Sequence, residues 1–216
     1  LNQAFEKKLI YKGYTIQPYS PMAGTGLSSH ELNQPGCYKN VKDTSITAQF
    51  LIKKDSNSFF GGEDVFLLAW TTTPWTLPSN TALAVNKSVI YVAVETFNLY
   101  TNEKVVVVVA KELLRSVFSG PYVDVSDLSD DKKQIPYSVV QEFKGSELIG
   151  LRYKQLLPIA IPAENAENAF QVIHGDFVST EDGTGIVHIA PTFGADDAKV
   201  AKDSKVPPLL VKDKDG

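Results

Sequence analysis

Three stretches decide the fold: VFLLAWT at residues 65–71, VIYVAVE at 89–95 and KVVVVVA at 104–110. The segment ITAQFLI at 46–52 precedes them and has a similar composition. Valine, isoleucine and aromatic side chains fit the surface of a pleated sheet, and runs that are apolar at consecutive positions are typical of strands buried on both faces. We therefore predict a sheet with these runs at its centre.

The segments around this centre predict more short strands and few helices. Further strands are predicted in YSVVQEFKGSELIGLRY (137–153), LLPIAIP (156–162), FQVIHGDFV (170–178) and TGIVHIAP (184–191). Helical spacing of apolar residues occurs in KELLRSVF (111–118) and ADDAKVAKD (195–203). The predicted fold class is mainly β, a barrel-like or sandwich-like body with peripheral α-helices.

Two regions are predicted along the chain. Apolar residues at near-helical spacing open it and stop at Gly13, and the stretch 18–36, rich in proline and glycine, predicts a connecting loop or ribbon. We expect residues 1–43 to form this helix and ribbon, and residues 44–216 to form the β domain. An uncapped first helix and the closing VKDKDG indicate a piece of a longer polypeptide.

Composition limits the classes of function. The 216 residues include 21 Lys and Arg against 25 Asp and Glu, a formal net charge of -4, so any contact with nucleic acid is expected to be local. Cys37 is the only cysteine and cannot form an internal disulfide, which favours the cytosol. No apolar run approaches the roughly 18 residues of a membrane span, so no membrane partner is expected.

The common catalytic signatures are missing from the sequence. There is no G-x-S-x-G motif, His30-Glu31 lacks the second histidine of a zinc protease, and MAGTG at 22–26 lacks the third glycine of a dinucleotide site. The acidic stretch 124–131 predicts a solvated loop rather than a metal site. We expect neither a protein nucleophile nor a bound metal.

One segment with chemical potential is WTTTPWTLPSN at 70–80, where a buried strand runs into three threonines and two prolines. Consecutive hydroxyls on an irregular backbone can donate to and accept from a ribose or a bound water. Threonine also favours strands because it is β-branched, and the prolines can simply shape a loop. Composition alone leaves both interpretations open.

The second segment is GTGIVHIAPTFGADD at 183–197. His188 lies in a predicted strand, where a histidine often serves only a structural role. Asp196 and Asp197 open the predicted last helix, whose N-terminus favours negative charge. One carboxylate could cap the helix while the other binds a cation, or both could be solvated.

These two motifs, with YSPMAGTGLSSHEL and VKDTSITAQF upstream, resemble the inserted editing domain of isoleucyl-tRNA synthetase, a class I aminoacyl-tRNA synthetase. The resemblance runs through nearly the whole chain. Leucyl and valyl enzymes carry threonine-threonine-arginine-proline where this chain has Thr72-Thr73-Pro74-Trp75, preceded by an extra threonine. One departure is Thr192-Phe193, where many bacterial relatives have glycine-histidine.

The resemblance implies a β-barrel-like domain that hydrolyses valine from mischarged isoleucine tRNA within the parent synthetase, in the cytoplasm. The implied partners are the aminoacylated 3′ end of isoleucine tRNA, the valine moiety and the rest of the synthetase. The nucleotide-binding signatures of the full enzyme are absent, so no synthetic activity is expected in this chain. No cofactor is implied here, because ATP and magnesium belong to the parent enzyme's synthetic site.

The resemblance also implies roles for single residues. Thr72, Thr73 and Asp197 are the implied catalytic residues, and Thr71 would line the ester and the terminal ribose beside them. Asn80 is an implied substrate-binding residue that supports this loop or the attacking water.

The implied substrate-binding residues further include Asp197, which would hold the α-ammonium group, and His188 and Trp70, which would bound the side-chain pocket. Two alternatives are a module that binds the tRNA end without hydrolysing it, and an editing domain of a valyl-type or leucyl-type synthetase. The two tryptophans and the histidine in the motifs argue against the latter.

Overall fold

In the computed structural model, which describes residues 1–11, 16–56, 58–61, 63–125 and 134–210, the valine-rich runs form the middle of a six-stranded sheet. The chain divides into two units, Leu1–Lys42 and Asp43–Gly216, and this sheet lies in the second.

The first unit contains short elements only. They are the helices α1 (Asn2–Glu6) and α2 (Ser29–Leu32) and the antiparallel strands β1 (Tyr19–Ser20) and β2 (Thr25–Gly26). Helix α1 ends earlier than the sequence predicts, because Lys8 has a left-handed backbone with φ 56° that a helix cannot contain. The predicted stop at Gly13 lies outside the described residues. Ser28 caps α2 through a capping box with Glu31.

The six-stranded sheet has the strand order β3-β4-β7-β6-β9-β8. Its strands are β3 (Ile46–Leu51), β4 (Val65–Thr71), β6 (Ile90–Phe97), β7 (Lys104–Ala110), β8 (Tyr122–Asp124) and β9 (Ile135–Lys144). The β4–β7 and β8–β9 pairs are parallel, and the other pairs are antiparallel. The three quoted apolar runs therefore occupy three neighbouring central strands, as predicted.

A smaller sheet has the order β10-β5-β11 and is made of β5 (Ala82–Val85), β10 (Gln171–His174) and β11 (Val187–Ile189). Strand β5 is parallel to β10 and antiparallel to β11. Single β-bridges from Ile52 to Tyr153 and from Arg152 to Gln171 continue the hydrogen bonding from the end of β3 towards β10. The two sheets remain open and share a common core.

Apolar side chains cover both faces of both sheets. One core lies between the sheets and includes Phe50, Leu67, Leu83, Val108 and Tyr153. A second cluster covers the other face of the large sheet, beneath helix α3 (Leu114–Val117), and a third packs the small sheet against helix α4 (Ala195–Asp203). This explains the strands that are apolar at consecutive positions, and the mainly β fold class is confirmed.

Two details of the predicted strands are wrong. The segment LLPIAIP at 156–162 is not a strand but an irregular loop, in which Gln155 donates a side-chain hydrogen bond to the carbonyl of Ala160 at 2.8 Å. Its two prolines lack the N–H groups that a sheet ladder needs. Strand β5, the central strand of the small sheet, was not predicted, because four buried residues directly after a proline-rich loop show no periodicity.

Candidate active site

The two motifs meet around one cavity of about 400 Å³ beside the end of β4. The first motif contributes Trp70 and the loop that follows, which we call the threonine loop (residues 71–76). Four threonines of this loop line the cavity: Thr71, Thr72, Thr73 and Thr76. The second motif supplies residues before, within and after β11, among them Gly183, Ile186, His188, Gly194 and Asp197.

Hydrogen bonds order the hydroxyls of the threonine loop. The Thr73 backbone N–H donates to the Thr71 hydroxyl at 3.1 Å, and the two hydroxyl oxygens lie 3.3 Å apart. The Thr76 hydroxyl donates to the Thr73 carbonyl at 2.8 Å. Pro74 and Pro78 lie in a 3₁₀ turn, Pro74–Ser79, that keeps the backbone compact after the strand ends. Three of the four hydroxyls are thus engaged within the loop.

Thr72 differs from its neighbours. Its side chain is exposed at the cavity, whereas Thr71 and Thr76 are buried. Within the described ranges the Thr72 hydroxyl has no hydrogen-bond partner. It is therefore the hydroxyl of this loop that is most available to a bound molecule.

His188 lies on β11 and is only 8% exposed. Its Nε2 lies 3.0 Å from the Thr76 hydroxyl. Because that hydroxyl already donates its proton to the Thr73 carbonyl, it accepts from His188, which assigns the imidazole proton to Nε2. Nδ1 is then an acceptor, and it is buried without a partner among the described residues.

Burial lowers the pKa of His188 to about 4, so the imidazole is neutral at physiological pH. A neutral ring does not repel a cationic ligand. Its Nδ1 is buried and therefore cannot reach a bound molecule to take a proton. His188 therefore lines the cavity as a neutral side chain that Thr76 holds in place.

Asp197 lies in the first turn of α4, and one of its carboxylate oxygens accepts a hydrogen bond from the Ala190 backbone N–H at 2.9 Å. Burial raises its pKa, while the Ala190 bond opposes the shift. No side chain caps the helix at Gly194, so Asp197 links the helix to the end of β11 instead. A Cβ on Gly194 would lie 3.0 Å from the Asp197 carboxyl carbon, so a glycine gives the carboxylate room there.

The turn before β11 depends on two glycines. Gly183 and Gly185 have φ 73° and 74°, a conformation that other residues adopt at a cost. A Cβ on Gly183 would lie 3.2 Å from the Trp70 ring, which therefore packs directly on the turn. The buried Tyr91 hydroxyl donates to the Gly185 carbonyl at 2.6 Å, and burial raises the pKa of Tyr91 to about 12. The turn is thus fixed against the large sheet.

Asn80 does not line this cavity. It is only 3% exposed, accepts a hydrogen bond from the Tyr153 hydroxyl at 2.7 Å and donates to the Ala82 carbonyl at 2.8 Å. The Tyr153 hydroxyl and the Ala82 carbonyl occupy the side-chain amide of Asn80, because both are buried polar groups that need a hydrogen-bond partner. The structure places Asn80 behind the threonine loop, as a support for the loop and β5, and apart from the other predicted site residues.

The structure brings Trp70, Thr71, Thr72, Thr73, His188 and Asp197 together around the cavity, although the two motifs are more than 100 positions apart. Thr76 is a site residue that the sequence analysis did not single out. Thr76 is visible in the sequence as the fourth threonine of WTTTPWT. Its hydrogen-bond partner, His188, is 112 residues away, so the sequence does not show that the two side chains meet. Phe177 and Phe193, which also line the cavity, were not predicted as site residues either.

The lining combines hydroxyls, one partly buried carboxylate and a neutral imidazole. A carboxylate beside a polar cavity can bind an ammonium group, and free hydroxyls and backbone N–H groups can stabilise a developing oxyanion. Within the described ranges, no three His, Cys, Asp or Glu side chains are grouped so as to hold a metal ion. The helices in the same ranges are too short and too polar to cross a membrane.

The fold is similar to that of solved editing domains of aminoacyl-tRNA synthetases. The solved editing domain of the cytosolic leucyl-tRNA synthetase of P. knowlesi has the same fold, with a TM-score of 0.52 and 17% identity, over 74% of this chain and 62% of that chain. The similarity in sequence is low, so this comparison concerns the fold alone.

The relatives in sequence are isoleucine--tRNA ligases. Over its whole length the chain is 55% identical to the isoleucine--tRNA ligase of Bacteroides fragilis and 57% identical to that of Porphyromonas gingivalis. It spans about a fifth of these relatives, 19% of each. No family model matches the chain. The predicted resemblance to the editing domain of isoleucyl-tRNA synthetase is confirmed.

Proposed function

We propose that this chain hydrolyses the ester bond of valine mischarged onto isoleucine tRNA, as the editing domain of a full-length isoleucyl-tRNA synthetase. The observation that carries the proposal is the cavity in which the threonine loop, His188 and the Asp197 carboxylate converge. The cavity offers a place for an ammonium group, an ester and a small side chain at once.

A second site is needed because a pocket that accepts isoleucine cannot strongly reject valine, which is one methylene smaller. The choice of isoleucyl-tRNA synthetase between these two amino acids is the known example of that limit. An editing cavity reverses the selection when it is too small for the correct amino acid. Trp70 and His188 are the proposed walls of such a cavity, since both line it and His188 is held in place by Thr76.

Asp197 is the proposed anchor for the substrate's α-ammonium. Its charge can pair with the ammonium, while the Ala190 N–H holds the carboxylate in position. The neutral His188 ring lets the cationic group approach without repulsion.

The proposed reaction uses water as the nucleophile. The water oxygen bonds to the ester carbonyl carbon, and the bond from that carbon to the ribose oxygen then breaks. One water proton ends on the ribose hydroxyl, and the products are free valine and uncharged tRNA. An aminoacyl ester is already activated, so a positioned water and stabilisation of the oxyanion provide most of what the step needs. The Thr72 hydroxyl is the proposed donor to the oxyanion, with Thr71 and Thr73 holding its loop.

We further propose that this domain needs no metal or organic cofactor for the hydrolysis. ATP and magnesium act, in this proposal, only in the parent enzyme's synthetic site. The proposed partners are the acylated 3′ end of isoleucine tRNA and the remainder of the synthetase.

The test is deacylation of valyl-tRNA and isoleucyl-tRNA, both made with isoleucine tRNA, by a full-length synthetase that carries this chain. Valine should be released rapidly and isoleucine slowly. Asp197→Asn in the same enzyme should stop the release of valine, while Tyr100→Leu, at an exposed residue that does not line the cavity, should not. Binding of valyl-tRNA without loss of the ester would instead support a module that only binds the tRNA end.

A further inference from the structure

Two cations lie directly opposite each other where the end of β3 meets a second chain segment. The backbone N–H of Lys53 donates to the Arg152 carbonyl at 2.8 Å, next to the antiparallel β-bridge between Ile52 and Tyr153. In an antiparallel pair the residue after one member of a bridge lies opposite the residue before the other, so Lys53 is opposite Arg152. The Cβ atoms of such a pair are about 5 Å apart.

A third cation shares their side of the sheet. Ile52 and Tyr153 are buried in the core between the two sheets. Because side chains alternate between the two faces of a strand, the residues next to this bridge point away from the core. Lys53, Arg152 and Lys154 therefore lie on the outer face together, with Lys154 diagonal to Lys53. We call these three residues the cationic patch.

The protein does not neutralise the cationic patch. None of its three side chains forms an ion pair with another of the described residues, whereas the neighbouring Lys54 lies 3.9 Å from the Asp64 carboxylate. The Arg152 guanidinium donates to the Glu167 backbone carbonyl, which is a neutral acceptor. Like charges directly opposite on paired strands destabilise a sheet. Local choices of residue that oppose stability are expected at functional positions.

The cavity itself cannot hold the backbone of an RNA. Of the described residues that line it, none is Lys or Arg, whereas Asp182 and Asp197 carry carboxylates. The formal net charge of the chain is -4, so its surface as a whole does not attract RNA either. Contacts with phosphate depend on cations, so they must come from a local group of basic residues outside the cavity.

The cationic patch lies within reach of an RNA whose end enters the cavity. Ile46 pairs with Thr71, where the threonine loop begins, and Lys53 lies seven residues further along the same chain. At about 3.3 Å per residue, the patch is about 20 Å along the sheet from the loop. An RNA carries a phosphate at every nucleotide, so its backbone presents anions at this distance from its 3′ end.

We propose that Lys53, Arg152 and Lys154 bind backbone phosphates of the tRNA acceptor arm while its acylated 3′ end occupies the cavity. This rests on the proposed function, because it assumes an acylated tRNA as the ligand. The patch contributes affinity without reading sequence, and the residues of the cavity act on the amino acid.

The test is binding of isoleucine tRNA that carries valine through an amide, which cannot be hydrolysed, to a full-length synthetase that contains this chain. The dissociation constant is measured between about 50 mM and about 200 mM salt. In the double variant Lys53→Gln/Lys154→Gln, the slope of log affinity against log salt should become shallower by about 1–2, up to one for each lost contact. At about 100 mM salt the affinity should fall by at least about 10-fold.

Two further enzymes separate charge from structure. Lys53→Arg/Lys154→Arg keeps both charges and should retain the parental affinity and slope. Lys87→Gln removes an exposed lysine outside the patch and should change neither. Urea unfolding of the glutamine double variant should show no loss of stability, because the substitution relieves repulsion between opposed cations. In deacylation of valyl-tRNA, the same double variant should raise KM and leave kcat unchanged.

Parental affinity and slope in the glutamine double variant would overturn the proposal. Lower stability with an unchanged slope would overturn it too, since the cations would then hold an acidic segment of the synthetase instead of RNA. These outcomes are separable from a failure of the proposed function. If valyl-tRNA is not hydrolysed but the slope depends on the patch, the patch stands and the hydrolysis does not. If valyl-tRNA is hydrolysed and the slope ignores the patch, only the patch is wrong.

Discussion

At the scale of single residues, burial acts in opposite directions on the two ionisable groups that the motifs bring to the cavity. It lowers the pKa of His188 and raises that of Asp197, because each group loses hydration of its charged form. Asp197 retains one compensating hydrogen bond from Ala190, whereas among the described residues the His188 ring bonds only to Thr76. Burial therefore favours the neutral form of both groups, and the Ala190 hydrogen bond partly offsets this for Asp197.

The first prediction separates the charge of Asp197 from its structural bond. Asp197→Asn keeps an oxygen that can accept from Ala190 but removes the charge, so we expect a stability close to the parent and a loss of deacylation. Asp197→Ala also leaves the buried Ala190 N–H unpaired, which should lower the free energy of unfolding by about 1–3 kcal/mol. Urea unfolding and valyl-tRNA deacylation measure the two effects. Parental activity in a folded Asp197→Asn enzyme would refute the assigned role.

The second prediction distinguishes the threonines. Thr72→Val should slow deacylation by on the order of 10², the loss of one donor to developing charge, with little change in stability. Thr71→Val removes the acceptor for the Thr73 N–H and should destabilise the protein by about 1–3 kcal/mol. Rates and unfolding free energies for both variants test this contrast. If Thr72→Val retains the parental rate, the hydroxyl has only a structural role; the same assay on Thr73→Val tests the other predicted catalytic threonine.

The third prediction concerns pH and stability. The pKa of His188 is about 4 in the folded chain and about 6.5 when solvated, so between these values the unfolded chain binds more protons. Stability should therefore fall as pH drops from 6.5 through 4, by up to about 3 kcal/mol from this residue. The raised pKa of Asp197 acts in the opposite sense in acid, so the measurement is the difference between the parent and His188→Gln. Equal slopes of unfolding free energy against pH in the two proteins would contradict the assignment.

At the scale of elements, the site is built where regular structure stops. Strand β4 ends at Thr71 and gives way to the threonine loop, and the turn at Gly183–Gly185 leads into β11. Both stretches need backbone shapes that a strand cannot adopt: a proline-containing 3₁₀ turn in one, and two positive φ values in the other. The adjoining sheets hold these irregular stretches in one conformation.

The fourth prediction tests the turn. Gly185→Ala must adopt φ 74°, which costs about 1–2 kcal/mol, and its Cβ would lie 2.4 Å from the buried Ala110 Cβ, which adds about 1–3 kcal/mol. Gly150→Ala is the matched control, since it has φ 89° and nothing within 4 Å of the new Cβ. Chemical denaturation should show a clearly larger loss of stability for Gly185→Ala. Equal losses would mean that the turn can move away from β7.

At the scale of the whole molecule, the fold sets the size of the cavity. Trp70 on β4 belongs to the large sheet and His188 on β11 to the small one, so the placement of these two lining residues depends on how the two sheets pack on their common core. Interiors packed in this way resist small displacements. If the proposed function holds, discrimination between valine and isoleucine depends on the packing of the entire domain.

The fifth prediction follows from that packing. In a full-length synthetase, His188→Ala should open the cavity so that isoleucyl-tRNA is hydrolysed, because an extra methylene in a well-packed site costs about 1–3 kcal/mol and the cavity would no longer impose it. The measurement is the ratio of deacylation rates for the isoleucyl and valyl esters in parent and variant. An unchanged ratio in a folded variant would place the discrimination elsewhere, for example in the threonine loop.

The sequence by itself determined the central strands, the last helix at 195–203 and the two motifs that carry the site, because composition and spacing report local burial and backbone preference. Only the tertiary structure decided that LLPIAIP is a loop, that Ala82–Val85 is a central strand and that Asn80 lies behind the cavity. The Thr76–His188 bond joins positions 112 residues apart, and the shifted pKa values arise from atoms that surround each group in space. Desolvation and long-range contact depend on how distant segments pack, and no local pattern contains that information.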